Sequence, residues 1–188
     1  MITTNTQIIF NKTTNKEEFE NVLFVMKALS EKNSADFTNV IHAENARIGS
    51  RIIATDGKRL HVALLQDRIP EGNYRVRHSD SVIVLLRETA PLHYPSWKNV
   101  IPEKTRLKAD IDLATTDEIG TIQAMEKLSV ANTIIVRKTG RSINFQFLSD
   151  LAEMKWKLYA GSSKTQPVVF RKVNQEETVF AVLAPLSA

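Results

Sequence analysis

Cysteine is absent from this chain, so neither a disulfide framework nor a thiolate metal site can form. Glycine is scarce, with six residues in 188, and neither GxGxxG nor GxxxxGK[ST] occurs. A phosphate-cradling loop of backbone N–H groups therefore has no basis in the sequence. The GxSxG elbow of a serine hydrolase is also missing. Of the four histidines, His42, His61, His78 and His93, none has a second histidine or a carboxylate at metal-ligand spacing. All four are expected as surface or half-buried residues. No metal, nucleotide or covalent cofactor is expected, and the chain reads as a binding protein with no enzymatic activity. Long apolar runs are lacking too, so no segment is expected to span a bilayer. The opening residues have no basic stretch followed by an apolar core, so a secretory signal is not expected and cytoplasmic residence is.

The composition that remains is that of a folded domain. Hydrophobic residues make up 43% and charged residues 24%, enough apolar side chains for a core. The net charge of +4 and a pI near 9.3 permit nucleic-acid contact without requiring it.

Along the chain, residues 6–10 read as a strand. A helix follows, with Asn15 as N-cap, Glu18 completing a capping box, and Phe19, Val22, Leu23, Met26 and Leu29 forming a core stripe. Three strands come next, in FTNVIHAE, RIGSRIIAT and KRLHVALL. Asp56-Gly57 joins the last two, because glycine accepts the positive φ of a hairpin turn and aspartate tolerates it. RVRH is a brief strand. SDSVIVLLRET predicts a short helix, with a buried strand as the alternative that its β-branched residues leave open. The stretch from Ala90 to Lys104 holds three of the six prolines and has no periodicity, which marks a connector.

The same order then recurs. RLKADIDLA is a strand, and Thr115 or Thr116 caps a helix with Ile119, Ile122, Met125 and Leu128 on its apolar face. NTIIVRK and SINFQFL are expected to form a hairpin around Thr139-Gly140, followed by strands in EMKWKLYAG, PVVFRKV and ETVFAVLAPL. Asp110 and Asp112 share one strand face and are expected to be solvated charges. The expected fold is α+β, with antiparallel sheets in two βαβββ-type units. Unit 1 spans residues 1–93, a linker 94–103, and unit 2 residues 104–188.

Three segments together carry a resemblance. They are ATDGKRLHVALL at 54–65, YPSWKNVIP at 94–102 and FAVLAPLSA at 180–188. In this order, with βαβββ patterns between them, the chain resembles the bacterial DNA sliding clamp, the beta subunit of the replicative polymerase. It is similar to a shortened form of the middle and last clamp domains. The resemblance implies strands outside and helices inside, no catalysis, and a groove that takes clamp-binding peptides of polymerase or repair proteins.

Carried over by motif, that groove would be lined by Thr55, Gly57, Lys58, Arg59 and Leu60 of the hairpin. Pro95, Asn99 and Val100 of the linker would join them, with Val182, Ala184, Pro185 and Leu186 of the closing strand. Double-stranded DNA and a homo-oligomer are further partners the resemblance implies. The helices are not basic, however. The first offers Lys16, Glu17, Glu18, Glu20 and Lys27, and the later one Asp117, Glu118, Glu126 and Lys127. The candidates for phosphate contact are instead strand and loop cations: Arg75, Arg77, Lys138, Arg141, Lys155 and Lys157. Two other readings stay open, a clamp-fold interaction or regulatory module that does not encircle DNA, and an unrelated α+β enzyme.

Overall fold

A computed structural model describes residues 7–30, 36–113, 121–152 and 154–186. The chain divides into two compact units, residues 1–96 and 97–188. Every described strand pair is antiparallel, and the fold is α+β.

Unit 1 opens with β1 (Gln7–Asn11) and α1 (Lys16–Met26). Strands β2 (Ile41–Asn45), β3 (Ser50–Thr55) and β4 (Arg59–Leu65) follow as a meander. A further hairpin, β5 (Gly72–His78) and β6 (Val82–Arg87), is wedged between β1 and β2. The sheet order is β1-β6-β5-β2-β3-β4. The helix expected at 79–89 is thus strand β6. An apolar run as short as Val-Ile-Val-Leu-Leu does not distinguish the two states by period, and its β-branched residues favour the strand.

One face of this sheet packs under α1. The alternation places Ala54 and Ile52, His61, Ala63 and Leu65, Tyr74, Ile83, Leu85 and Phe10 on it, all buried. From α1, Phe19, Val22, Phe24 and Val25 meet them. Leu23, expected in that stripe, is exposed, and Asn21 is buried with its amide donating to Leu64 O at 3.3 Å.

Both ends of α1 are tied to β4. No side chain caps it at Asn15, so the capping box does not form. Glu18 accepts instead from the N–H groups of Gln66 and Asp67, at 3.0 and 3.1 Å. At the other end, Phe24 O is one of the last carbonyls of the helix, which lack partners within it. His61 Nδ1 donates to it at 2.8 Å, and the two rings stack with centroids 4.4 Å apart. His61 is therefore fully buried, against the expectation of a surface or half-buried residue. Burial drives its pKa down to about 3, the hydrogen bond to Phe24 opposing and the Arg59 and Lys27 charges adding.

Unit 2 begins with β7 (Arg106–Asp112), then α2 (Thr121–Thr139) and α3 (Phe145–Ser149). It ends in the meander β8 (Lys155–Ala160), β9 (Val168–Lys172) and β10 (Val179–Leu183). Its order is β10-β9-β8-β7. The hairpin expected around Thr139-Gly140 is not there. NTIIVRK is the C-terminal half of α2, where Ala131 and Ile135 lie four residues apart on the buried side. Gly140, at φ 67°, ends the helix, with its N–H on Val136 O at 2.8 Å. SINFQFL turns into α3, capped by Asn144. The expected caps Thr115 and Thr116, and Ile119 and the Ile122 side chain, lie outside the described residues. Met125 is exposed.

Acid should destabilise unit 1 through His61. Its folded pKa lies below the ordinary 6.5, so the unfolded chain takes up the proton first as pH falls. The contribution of the neutral ring is whole above pH 6.5 and declines as pH drops toward 3. Between pH 6.5 and 5, the loss of stability in urea from this group should steepen from about 0.7 toward about 1.4 kcal/mol per pH unit. His61→Phe keeps a stacked ring and has no proton to bind, so its profile should be flat by that amount. Equal slopes in the two proteins would contradict the assignment.

Candidate functional site

The hairpin between β3 and β4 is held by its own polar groups. Asp56 Oδ1 accepts the N–H groups of Lys58 and Arg59, both at 2.9 Å, and Oδ2 meets Arg59 Nε at 3.0 Å. Thr55 Oγ1 accepts from Gly57 N at 3.0 Å and donates to Arg59 O at 2.6 Å. Gly57 has φ 86°, and a Cβ there would meet nothing within 4 Å, so backbone angle and not space requires glycine. Of the hairpin candidates, Gly57 and Lys58 are exposed and Thr55 is half-buried. Arg59 and Leu60 are buried, Leu60 to 3% exposure.

The connector lies over the sheet face opposite α1 in unit 1. Tyr94 stacks on His42 with centroids 4.6 Å apart, and Phe37 meets Tyr94 edge-on at 6.0 Å. His42 Nδ1 pairs with Asn73 Oδ1 at 2.8 Å, and Asn73 Nδ2 donates to Leu92 O at 2.7 Å. Pro95, next to this anchor, is half-buried.

In unit 2 a 3₁₀ turn, Trp97–Val100, presents Asn99 and Val100 to solvent. Trp97 itself is buried, its ring 6.2 Å from that of Phe180 on β10. Val182 is buried within β10, Ala184 and Pro185 are half-buried, and Leu186 is 53% exposed. The tail is held by Leu186 N–H on Ser142 O at 2.9 Å. The twelve peptide-site candidates thus fall into two sets, one in each unit.

The six candidates for phosphate contact are scattered. Arg75 and Arg77 are neighbours on one face of β5, but Arg75 Nε is on Glu88 Oε2 at 2.7 Å. That contact first of all holds the Glu88 pKa below its ordinary value. Lys155 and Lys157 share a face of β8 and are paired as well. Lys155 meets Asp112 at 3.1 Å, and Lys157 meets Glu176 at 2.5 Å. Tyr159 Oη donates to the other Glu176 oxygen at 2.9 Å. Glu176 is lowered by the Lys157 hydrogen bond and then by that of Tyr159, and Lys157 is raised by the same bond to Glu176.

Arg141 is 3% exposed, which removes it from any surface for DNA. Its guanidinium donates to the carbonyls of Gly161, Ser163 and Lys164, tying the β8–β9 loop to the end of α2. Desolvation lowers its pKa. Arg77 and Lys138 remain exposed, with no ion pair among the described residues. On α1, Lys16 faces Glu20 at 4.0 Å, so that helix surface carries no excess of positive charge.

One feature has no counterpart among the sequence expectations. A groove of about 410 Å³ runs between β7 and α2, lined by Ile111, Val130, Ala131 and Ile134, with Glu126 and Lys127 at its rim. Reading residues 132–138 as a strand hid it. No cluster of groups that could hold a metal ion occurs among the described residues, and no helix of theirs is long and apolar enough to cross a membrane.

Over its whole length the chain superposes on the DNA polymerase III beta chain of Streptococcus pneumoniae, with TM-score 0.62 and 11% identity, covering 66% of that chain. The chain folds like a bacterial sliding clamp. The Bacillus subtilis sliding clamp matches 100% of this chain and 66% of its own, at TM-score 0.59 and 13% identity. The Borrelia burgdorferi beta subunit matches 97% and 63%, at TM-score 0.62 and 12% identity. The clamp-like chain therefore spans about two-thirds of these clamps, as a shortened relative would. No protein-family model matches it, and no curated protein matches it by sequence.

Arg141 gives this site its sharpest stability test. Arg141→Ala leaves three loop carbonyls without their charged donor and should cost about 2–3 kcal/mol in urea unfolding. Arg77→Ala, at an exposed position, should change stability by less than about 0.5 kcal/mol. A loss at Arg141 no larger than at Arg77 would show that the loop does not depend on it.

Proposed function

We propose that this chain is a non-catalytic, clamp-like protein of DNA replication or repair that recruits partner peptides. The observation that carries the reading is the clamp fold over the full chain. Sliding clamps are processivity factors and not catalysts. The peptide would be taken by the hairpin residues Thr55, Gly57, Lys58, Arg59 and Leu60, the connector residues Pro95, Asn99 and Val100, and the tail residues Val182, Ala184, Pro185 and Leu186. Apolar members of the set would supply affinity for Leu or Phe anchors, and polar ones the register. Val100 and Leu186 are the exposed apolar members of the set.

A second reading has its own observation. Four of the six cations considered for phosphate contact are paired or buried. Coulombic attraction to a duplex would then rest on few residues, Arg77 and Lys138 first among them. This favours a clamp-fold interaction module that does not encircle DNA.

A labelled peptide of the Gln-Leu-x-Leu-Phe clamp-binding type tests the first reading. Titrated into the wild-type protein it should saturate, and Leu186→Asp and Val100→Asp should each weaken it at least tenfold. Ile48→Asp, at a loop position outside the set, should bind as wild type does. No saturation at millimolar peptide, or equal affinity across all four proteins, would overturn the peptide site. In parallel, duplex DNA affinity measured at rising salt separates the two readings. A steep loss with salt, reduced in Arg77→Glu, supports DNA contact, and absence of binding at low salt supports the module.

A further inference from the structure

The hairpin of β5 and β6 carries a concave surface of its own in unit 1. An open cleft of about 390 Å³ is lined by residues 75–77 and 86–89. That volume lies within the ordinary range of ligand clefts, about 300–1,000 Å³. Its charge is one-sided. Three arginines, Arg75, Arg77 and Arg87, line it with a single carboxylate, Glu88. Asp80, in the turn between the two strands, is no part of the lining. Glu88 is committed to Arg75, whose Nε donates to its Oε2 at 2.7 Å. Arg87 donates to the carbonyl of Glu71 at 2.8 Å, and Arg77 is exposed. Neither Arg77 nor Arg87 has a carboxylate partner among the described residues. Apolar surface adjoins these cations. Opposed residues of an antiparallel pair share a sheet face, and Arg75 opposes Leu86 while Arg77 opposes Val84. Leu86 and Val84 are both half-buried.

We infer that this cleft is a docking site for an acidic peptide, one that carries Asp or Glu on either side of a Leu, Ile or Phe anchor. A guanidinium group is a planar fork of donors whose shape a carboxylate fills with two parallel hydrogen bonds. Arg75 already holds one carboxylate, that of Glu88, and Arg77 and Arg87 are the forks left for carboxylates of a partner. The anchor lies on Leu86 and Val84, between the charged contacts. Charge complementarity of this kind raises the rate of encounter and rejects basic partners. A nucleic-acid backbone fits less well. Its phosphates repel the Glu88 carboxylate wherever they approach Arg75, and a duplex exterior has no aliphatic group to place on Leu86. The cleft shares no residue with the twelve peptide-site candidates, so this inference goes beyond the functional reading above and does not rest on it.

Fluorescence anisotropy of a labelled peptide Glu-Asp-Leu-Glu-Leu-Asp-Glu, titrated with the full chain, tests this. Binding should saturate at submillimolar protein. It should weaken at least threefold when Ser replaces each Leu of the peptide, and vanish when Lys replaces each acidic residue. Arg77→Glu should weaken it at least tenfold with an unchanged circular-dichroism spectrum. Arg47→Glu makes the same charge change in the exposed β2–β3 loop and should weaken it less than twofold. Glu88→Gln removes the resident carboxylate and should tighten binding at least threefold. The proposal is overturned by absence of saturation at millimolar protein, or by equal losses in Arg77→Glu and Arg47→Glu, which would reduce the effect to net charge. A Glu88→Gln protein that binds no more tightly than wild type overturns it even where Arg77→Glu fails to fold. Duplex DNA that binds the wild type more tightly than the peptide does, and loses that affinity in Arg77→Glu, assigns the cleft to nucleic acid and overturns it as well.

Discussion

α1 lies on β4 because both of its ends are hydrogen-bonded there, and the arrangement of unit 1 follows from that. Glu18 holds the N–H groups just past β4, and the His61 ring closes the last turn at Phe24 O. The neutral ring does this with Nδ1 as its donor. Its Nε2 has no hydrogen-bond partner among the described residues, so protonation would place a charge there with none of them to receive it. With α1 seated, the alternating side chains of β3, β4, β6 and β1 have one face to fill. The opposite face is left to the connector, whose Tyr94 covers His42 in unit 1. In unit 2 the same connector supplies Trp97 to Phe180.

Charge in this protein serves mostly to hold the fold. Arg59 closes the Asp56 turn, and Arg141 fastens the loop after β8. Lys157, Glu176 and Tyr159 form a small network beside Arg171, which lies over the Tyr159 and Phe180 rings. Exposed pairs of this kind add little stability individually. Their effect on function is larger, since a cation engaged with a carboxylate offers less to a phosphate backbone. A net charge of +4 therefore overstates the attraction for DNA.

Where a residue's conformation is set locally, the sequence was a sound guide. Asp56-Gly57 makes its turn from its own side chain and a positive φ, and the three closing strands form where the sequence places them. Where tertiary packing decides, it was not. Val82–Leu86 and Thr133–Val136 are both β-branched runs, yet the first is a strand and the second a helix. Position in the sheet selects one, and the long helix that Gly140 ends selects the other. Glu18 has the spacing of a capping box but accepts from the N–H groups of Gln66 and Asp67, just past β4. The burial of His61 and Arg141, and the groove beside β7, depend on contacts between distant segments and leave no mark in local sequence. The candidate peptide residues were legible only through resemblance, since no single motif among them is chemically distinctive.

Chemical-shift mapping of the isotope-labelled chain against the unlabelled clamp-binding peptide tests the central claim most directly, because it reports every backbone amide at once. The account predicts saturable shifts clustered at residues 55–60, at Asn99 and Val100, and from Val182 to Leu186, with the α1 and α2 amides undisturbed. Saturable shifts confined to other residues, or none at millimolar peptide, would contradict it.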